Sequence, residues 1–360
     1  MSLNQTFHPL RVAEVRRETP DAVSVRFEVP AALAEAYRFE AGQHLTIRRD
    51  FDGEDVRRNY SVCVSPADGE LRIAIKETPG GLFSRWANSE LTEGTVLDVM
   101  PAIGRFSLTP DPVRNGRYVG IAGGSGITPL MSIIRTVLNH EPKSRFTLLY
   151  GNRNTASIIF LEALANLKNR FLGRLEVYHF LEDEAEEIEL FNGRLDREKC
   201  DEVMGRLVDV ANTDCFYVCG PGPMMDAAEA ALLERGVDPA CIKIERFTTG
   251  PLSGERLVRA EQLQQKAQGL KIEVTLDGRR ARVSFDAEKG NILESVRAAG
   301  LPAPFACKAG VCATCRARVL RGSVEMKTNY GLSPEEVEQG YILTCQSVPT
   351  SDGVAVTYDA

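Results

Sequence analysis

No stretch of this chain approaches the roughly 18 consecutive apolar residues that a membrane-spanning helix needs. Basic residues are not in excess either: 43 Lys and Arg stand against 50 Asp and Glu, a net charge of −7. That balance argues against nucleic acid as the main partner. No apolar leader opens the sequence, so the chain is expected in the cytoplasm, where thiols stay reduced and disulfides are not anticipated. Internal repeats are absent as well. What remains, 360 residues of which 43% are hydrophobic and 26% charged, is ordinary globular composition with room for two or three domains.

Four of the nine cysteines carry the strongest signal. Cys307, Cys312 and Cys315 follow the spacing C-x4-C-x2-C, and Cys345 comes after a gap of 29 residues. This is the plant-type ferredoxin spacing, in which four thiolates hold a [2Fe–2S] cluster. The loop Ala306–Cys315 reads ACKAGVCATC, and small residues let backbone N–H groups turn toward anionic sulfur. The alternative is a structural zinc site, but zinc sites usually show two short Cys/His pairs and here there is one. Cys63, Cys200, Cys215 and Cys241 are scattered and read as inert thiols. Lys308, Arg316, Arg318 and Arg321 make the cluster's neighbourhood basic. They are either a solvated face or a docking face for an acidic partner.

The chain divides by its grammar. Residues 1–108 carry short β-branched runs (Val12–Val15, Val23–Val29, His44–Ile47, Tyr60–Val64, Leu71–Lys76) between Gly, Pro and Asp, which predicts an antiparallel β-barrel. Residues 109–247 alternate strand and helix, from Tyr118–Ala122 through Phe146–Tyr150 and Leu175–Phe180 to Cys215–Val218 and the helix Met224–Glu234. That alternation predicts an α/β domain with a parallel sheet. In the first of these helices Thr128 is placed as the cap and Pro129 at the first turn. Residues 248–269 read as a polar, partly helical linker. Residues 270–360 open with a hairpin turning at Asp277-Gly278, then a helix capped by Asn291, then the cysteine loop. They predict a small α+β ferredoxin of the β-grasp kind.

Two motifs in the barrel point to a flavin. In Arg58-Asn59-Tyr60-Ser61 the guanidinium can clamp a pyrophosphate, the phenol can lie on an isoalloxazine face, and the hydroxyl can bond the flavin N5. Gly80-Gly81-Leu82-Phe83-Ser84 offers backbone N–H groups to phosphate at a helix start. A loop for a second phosphate predicts FAD and not FMN. In the α/β domain, Gly123-Gly124-Ser125-Gly126-Ile127-Thr128-Pro129 and Cys219-Gly220-Pro221-Gly222-Pro223-Met224 both sit on strand-to-helix turns, where dinucleotides bind. The first is neither G-x-G-x-x-G nor a P-loop, and by itself it is a tight turn. After Tyr150-Gly151-Asn152-Arg153 no acid comes until Glu162, so Arg153 is placed to meet a ribose 2′-phosphate and NADPH is predicted over NADH.

Taken as a set, these motifs resemble the ferredoxin–NADP reductase superfamily over essentially the whole chain. With the C-terminal ferredoxin, the chain is similar to reductase components of multicomponent oxygenases. Tyr150-Gly151-Asn152-Arg153 and Glu245-Arg246-Phe247 resemble the branch that serves phenylacetyl-CoA epoxidation by a soluble di-iron monooxygenase in phenylacetate catabolism. The resemblance implies that Arg58, Tyr60 and Ser61 bind FAD, with Gly81 and Ser84 at its pyrophosphate. It implies that Gly123, Gly124, Gly126 and Thr128 hold the nicotinamide dinucleotide and that Cys219 lies beside the reacting ring. Glu245 is implied as a proton-relaying carboxylate and Phe247 as the aromatic cover of the flavin. Electron counting gives the order: hydride carriers move two electrons, the cluster takes one, and a flavin must stand between them. The expected path runs from NADPH through FAD and [2Fe–2S] to oxygenase subunits. A reductase for another oxygenase, such as a ring-hydroxylating dioxygenase, and a non-enzymatic iron–sulfur sensor are the alternatives.

Overall fold

The computed structural model describes residues 6–247 and 254–360. The chain forms two compact units, residues 2–245 and 246–360. The expected segment 248–269 lies partly outside the described residues, at 248–253; its remainder is mostly helix.

The first unit begins with strands β1 (His8–Thr19), β2 (Ala22–Glu28), β3 (His44–Phe51), β4 (Glu54–Ser61) and β5 (Leu71–Lys76), helix α1 (Leu82–Ser89) and strand β6 (Val96–Ile103). The six strands make one antiparallel sheet in the order β4-β3-β6-β1-β2-β5. A bridge between Val62 and Ile73 ties the chain just beyond β4 to β5, so the sheet curls on itself as the barrel reading required. Alternation drives the curl: Val23, Val25 and Phe27 of β2 and Ile73 and Ile75 of β5 all point into one core with Leu45, Ile47 and Val99. Strand β6 was not foreseen. Its sequence, VLDVMPAI, carries an Asp and a Pro that hide a strand pattern, yet it pairs with both β1 and β3.

The α/β part follows as β7 (Arg117–Gly123), α2 (Ile127–His140), β8 (Arg145–Asn152), α3 (Leu161–Arg170), β9 (Leu175–Leu181), α4 (Arg197–Arg206), β10 (Cys215–Cys219), α5 (Gly222–Glu234) and β11 (Ile242–Glu245). The sheet is wholly parallel, in the order β11-β10-β7-β8-β9. Strand β11 is only four residues long, too short to announce itself, but it sets Glu245 beside Cys219 in register. One expected detail is corrected. Helix α2 starts at Ile127, so Thr128 lies inside it and does not cap it; the hydroxyl donates to the Ser125 carbonyl at 3.0 Å. The same helix fastens the sheet to the barrel: Ser132 donates to the Val64 carbonyl at 2.5 Å, and Thr136 meets the Ser65 hydroxyl at 3.0 Å.

The second unit contains α6 (Glu255–Ala267), β12 (Lys271–Leu276), β13 (Arg279–Ser284), α7 (Ile292–Ala298), β14 (Arg316–Arg321), β15 (Val324–Met326), α8 (Pro334–Glu338), β16 (Tyr341–Leu343), β17 (Ser347–Pro349) and β18 (Val354–Thr357). A five-stranded mixed sheet, β13-β12-β18-β14-β16, packs against Ile292, Leu293 and Val296 of α7, and β15 and β17 pair separately as a two-stranded antiparallel sheet. Asp277 and Gly278 both take positive φ, as a type I′ turn demands. Asn291 caps α7 by accepting from the Glu294 N–H at 2.9 Å, as read from the sequence.

Candidate functional site

The tips of β7, β8, β10 and β11 share the C-terminal edge of the parallel sheet, and their glycines are there for contact. A Cβ at Gly126 would sit 1.9 Å from the Cys219 carbonyl oxygen. One at Gly123 would meet Pro221 at 2.6 Å, and one at Gly220 would meet the Met224 methyl at 2.5 Å. The two glycine turns therefore interlock backbone to backbone, and no side chain fits between them. Gly124 takes a positive φ of 52°, and its carbonyl accepts from the buried Tyr150 hydroxyl at 3.0 Å. Burial pushes the Cys219 thiol well up, so it is a neutral, packed thiol.

On the barrel side, His44 stands opposite Ser61 and Thr46 opposite Asn59 in the β3–β4 ladder, all four on one face. The Thr46 hydroxyl lies 2.9 Å from the Asn59 carbonyl oxygen, which turns the amide NH2 toward His44 Nε2, 3.4 Å away. The network thus assigns the proton to Nδ1, which faces Glu245 Oε1 at 3.4 Å. Two buried oxygens beside this imidazole have no hydrogen-bond partner among the described residues: Ser61 Oγ and Glu245 Oε2. Such atoms are costly unless a ligand completes them. Ser61, Cys219 and Glu245, far apart in sequence, are thus brought to one region. Neither His44 nor Asn59 was singled out from sequence; only the β3–β4 register shows that they share the Ser61 face.

The other predicted flavin residues divide. Tyr60 packs against Phe83 of α1, ring centroids 5.7 Å apart, and burial pushes its phenol up. Arg58 is exposed, and its guanidinium donates to the Arg57 carbonyl at 2.8 Å, leaving donors facing solvent. The Ser84 hydroxyl accepts from the Thr78 N–H at 3.1 Å and lies 3.4 Å from the Gly81 carbonyl; it shapes the glycine turn from within. A Cβ at Gly81 would strike Ser84 Oγ at 2.5 Å. Arg153 is exposed and pairs with Asp21 at 3.1 Å, an acid on the β1–β2 turn that sequence reading did not connect with it. Lys76, unremarked in the sequence, reaches the same Asp21 at 3.7 Å and lies close to Gly124. Phe247 is half-buried and stands at the start of the second unit.

In the second unit Cys307, Cys312, Cys315 and Cys345 are all free thiols, and the last three are buried. Among the described residues no three His, Cys, Asp or Glu side chains gather as for a single ion. The cysteines come as two pairs, Cys307 with Cys312 and Cys315 with Cys345, each within hydrogen-bonding reach of its partner. Two pairs suit two irons better than one ion. Backbone N–H groups already face the sulfurs: Ala309 to Cys307 at 3.3 Å and Cys307 to Cys312 at 3.4 Å. The Thr314 hydroxyl lies 3.3 Å from Cys312 Sγ. Lys308 and Ala313 take positive φ to close the loop, and a Cβ at Gly310 would strike Gln346 at 2.9 Å. The donor set and the cradle fit a [2Fe–2S] cluster. The basic residues around it are largely compensated. Lys308 pairs with Glu294 at 3.0 Å, Arg316 with Glu336 at 3.3 Å and Arg321 with Glu273 at 3.0 Å; Arg318 has no carboxylate partner among the described residues.

Comparison with known proteins agrees with each part. Family profiles match in three places: an oxidoreductase FAD-binding domain at residues 9–108, an oxidoreductase NAD-binding domain at 121–230, and a 2Fe-2S iron-sulfur cluster binding domain at 274–350. One subunit of the 1,2-phenylacetyl-CoA epoxidase from Escherichia coli K12 is 45% identical across 99% of this chain and 98% of its own length. This chain belongs to the flavin- and iron–sulfur-dependent oxygenase reductases. In this reductase family the ferredoxin reductase component of 3-ketosteroid-9-alpha-monooxygenase from Mycobacterium tuberculosis is 34% identical over 97% of the chain and 95% of its own length. Phthalate dioxygenase reductase shares the fold with a TM-score of 0.61, 21% identity and 98% of each chain covered. The reductase is an NAD(P)H-dependent oxidoreductase that uses FAD and a [2Fe–2S] cluster. No described helix is long and apolar enough to cross a membrane.

Proposed function

We propose that this reductase supplies single electrons from NADPH to the oxygenase subunits of a phenylacetyl-CoA epoxidase-like di-iron monooxygenase in the cytoplasm. The observation that carries the reading is 45% identity to the Escherichia coli epoxidase component, sustained along the full chain. When bound, FAD takes up two electrons together and gives them up singly, and the cluster carries one at a time. We assign the work as residues 1–108 for FAD, 109–247 for the dinucleotide, 248–269 as linker and 270–360 for the cluster, held by Cys307, Cys312, Cys315 and Cys345.

The chain's own residues divide the remaining tasks. Arg58 and the Gly81 turn hold the pyrophosphate of FAD, Ser84 keeps that turn in shape, and Tyr60 bounds the isoalloxazine. The unpartnered Ser61 hydroxyl completes its hydrogen bonding on the flavin. Glu245, aligned by the imidazole of His44, keeps its free Oε2 available for a proton next to Ser61. Gly123, Gly124, Gly126 and Thr128 leave room for the dinucleotide, and Cys219 packs beside its nicotinamide as a neutral thiol. Arg153 meets the 2′-phosphate once it releases Asp21.

The test uses purified oxygenase subunits. With the epoxidase and phenylacetyl-CoA, NADPH oxidation should be coupled to product in nearly equal amounts. Coupling no better than with another oxygenase would favour the second reading, a reductase of a different multicomponent oxygenase, for which the 34% identity to a 3-ketosteroid-9-alpha-monooxygenase component speaks.

A further inference from the structure

Segment 324–332 of the second unit runs alongside the cysteine loop. Tyr330 N–H donates to the Gly310 carbonyl at 3.0 Å, and Lys327 N–H donates to the carbonyl of Gln346, next to Cys345, at 2.9 Å. The Lys327 side chain is half-buried, and its ammonium donates to the Gly290 carbonyl at 2.8 Å. Burial pulls this amine down from its usual range, while negative charge on Cys345 pulls it up. Among the described residues no carboxylate pairs with it. The contrast with its neighbours is sharp: Lys308, Arg316 and Arg321 each spend their charge on a glutamate. Lys327, whose backbone is bonded beside Cys345, is sheltered from water and, among the described residues, uncompensated by a carboxylate, and charges so placed are screened least.

We propose that Lys327 is a positioning charge that sets the reduction potential of the cluster. This rests on the reading that the four cysteines hold [2Fe–2S]. The cluster gains one negative charge on reduction. A fixed positive charge nearby favours that state and raises the potential, so the cluster accepts an electron more readily. A merely structural role, pinning Gly290 ahead of the Asn291 cap, would act on stability and not on potential.

The test is an EPR-monitored redox titration of the full chain loaded with FAD and cluster. Lys327→Met should lower the cluster potential enough to shift the electron away from it by about tenfold, which is 59 mV for a one-electron couple. The flavin potential should hold, and Lys327→Arg should stay near wild type. A second variant carries the same logic with opposite sign: Glu294→Gln uncovers the Lys308 charge and should raise the potential, by less, because Lys308 is more exposed. Iron and acid-labile sulfide are counted in each preparation. A wild-type chain without them overturns the cluster reading itself. A loaded Lys327→Met chain with an unchanged potential and a lowered Tm overturns the proposal and leaves Lys327 as a strut. If Lys327→Met holds no iron, Lys327→Gln is titrated in its place, and an unchanged potential there overturns the proposal.

Discussion

The cluster loop and the site at the sheet edge solve the same problem, holding a redox group, by opposite means. The cluster loop is local. Three of its four cysteines fall within nine residues, and loop backbone faces the sulfurs directly. The sheet-edge site is assembled by topology: residues 44, 61, 126, 219 and 245 meet only because β3 pairs with β4 and because β7, β10 and β11 lie side by side. A local site stands or falls with its own side chains. An assembled one depends on backbone contacts that no single motif contains.

The sharpest way to break that comparison is Gly126→Ala. Its new Cβ would press on the Cys219 carbonyl at 1.9 Å, a backbone contact that neither turn can yield. Overpacking of this kind costs about 1–3 kcal/mol or more, and we expect at least a hundredfold loss in kcat/KM for NADPH with the cluster spectrum intact. A nucleotide affinity like wild type, measured by calorimetry, would mean the turns are not interlocked. Next in size, Cys312→Ser should abolish the cluster signal and electron delivery to the oxygenase. NADPH-to-ferricyanide turnover through the flavin should survive, because the sheet-edge site borrows nothing from the loop; its loss would break the comparison from the other side.

Ser61→Ala sharpens it further. The hydroxyl has no hydrogen-bond partner among the described residues, so thermal unfolding of the flavin-free chain should move little, within about 1 kcal/mol, while the rate of flavin reduction in stopped flow falls at least tenfold. A large stability loss with normal reduction would show a structural hydroxyl. Arg153→Ala should reduce the preference for NADPH over NADH by about tenfold, the value of roughly one charge-assisted contact. Asp21→Asn should raise it, because the arginine then loses its competing acid. Equal kcat/KM for both nucleotides before and after either change would remove Arg153 from the site. The smallest effect belongs to docking. With Lys308, Arg316 and Arg321 already paired, reversing Arg318 should weaken electron transfer to the oxygenase only a few-fold, and added salt should mimic it.

How much could be read from sequence follows the same division. The four cysteines, the Asp277-Gly278 turn and the Asn291 cap were legible because each is a short-range pattern with one physical cause. The barrel and the parallel sheet were legible as rhythms. Strand β6 was not, since Asp98 and Pro101 interrupt its apolar run, and β11 was too short to register. His44 looked like any strand residue until the β3–β4 register set it across from Ser61. The basic group near the cluster was visible, but its neutralisation was not, because Glu294, Glu336 and Glu273 come from three separate segments.

The link between His44 and Glu245 also has a consequence in time. A ribosome working at roughly 5–20 residues per second makes the barrel's β3–β4 ladder about 10–40 seconds before it makes β11. Through that interval a nascent chain can present Ser61 and the Gly81 turn, yet its imidazole has no carboxylate to align. In the roles proposed above, a flavin captured so early would meet Ser61 before the carboxylate assigned to its proton exists. On the proposed reading, the proton-handling part of the flavin site is completed only by the last strand of the sheet to be synthesised.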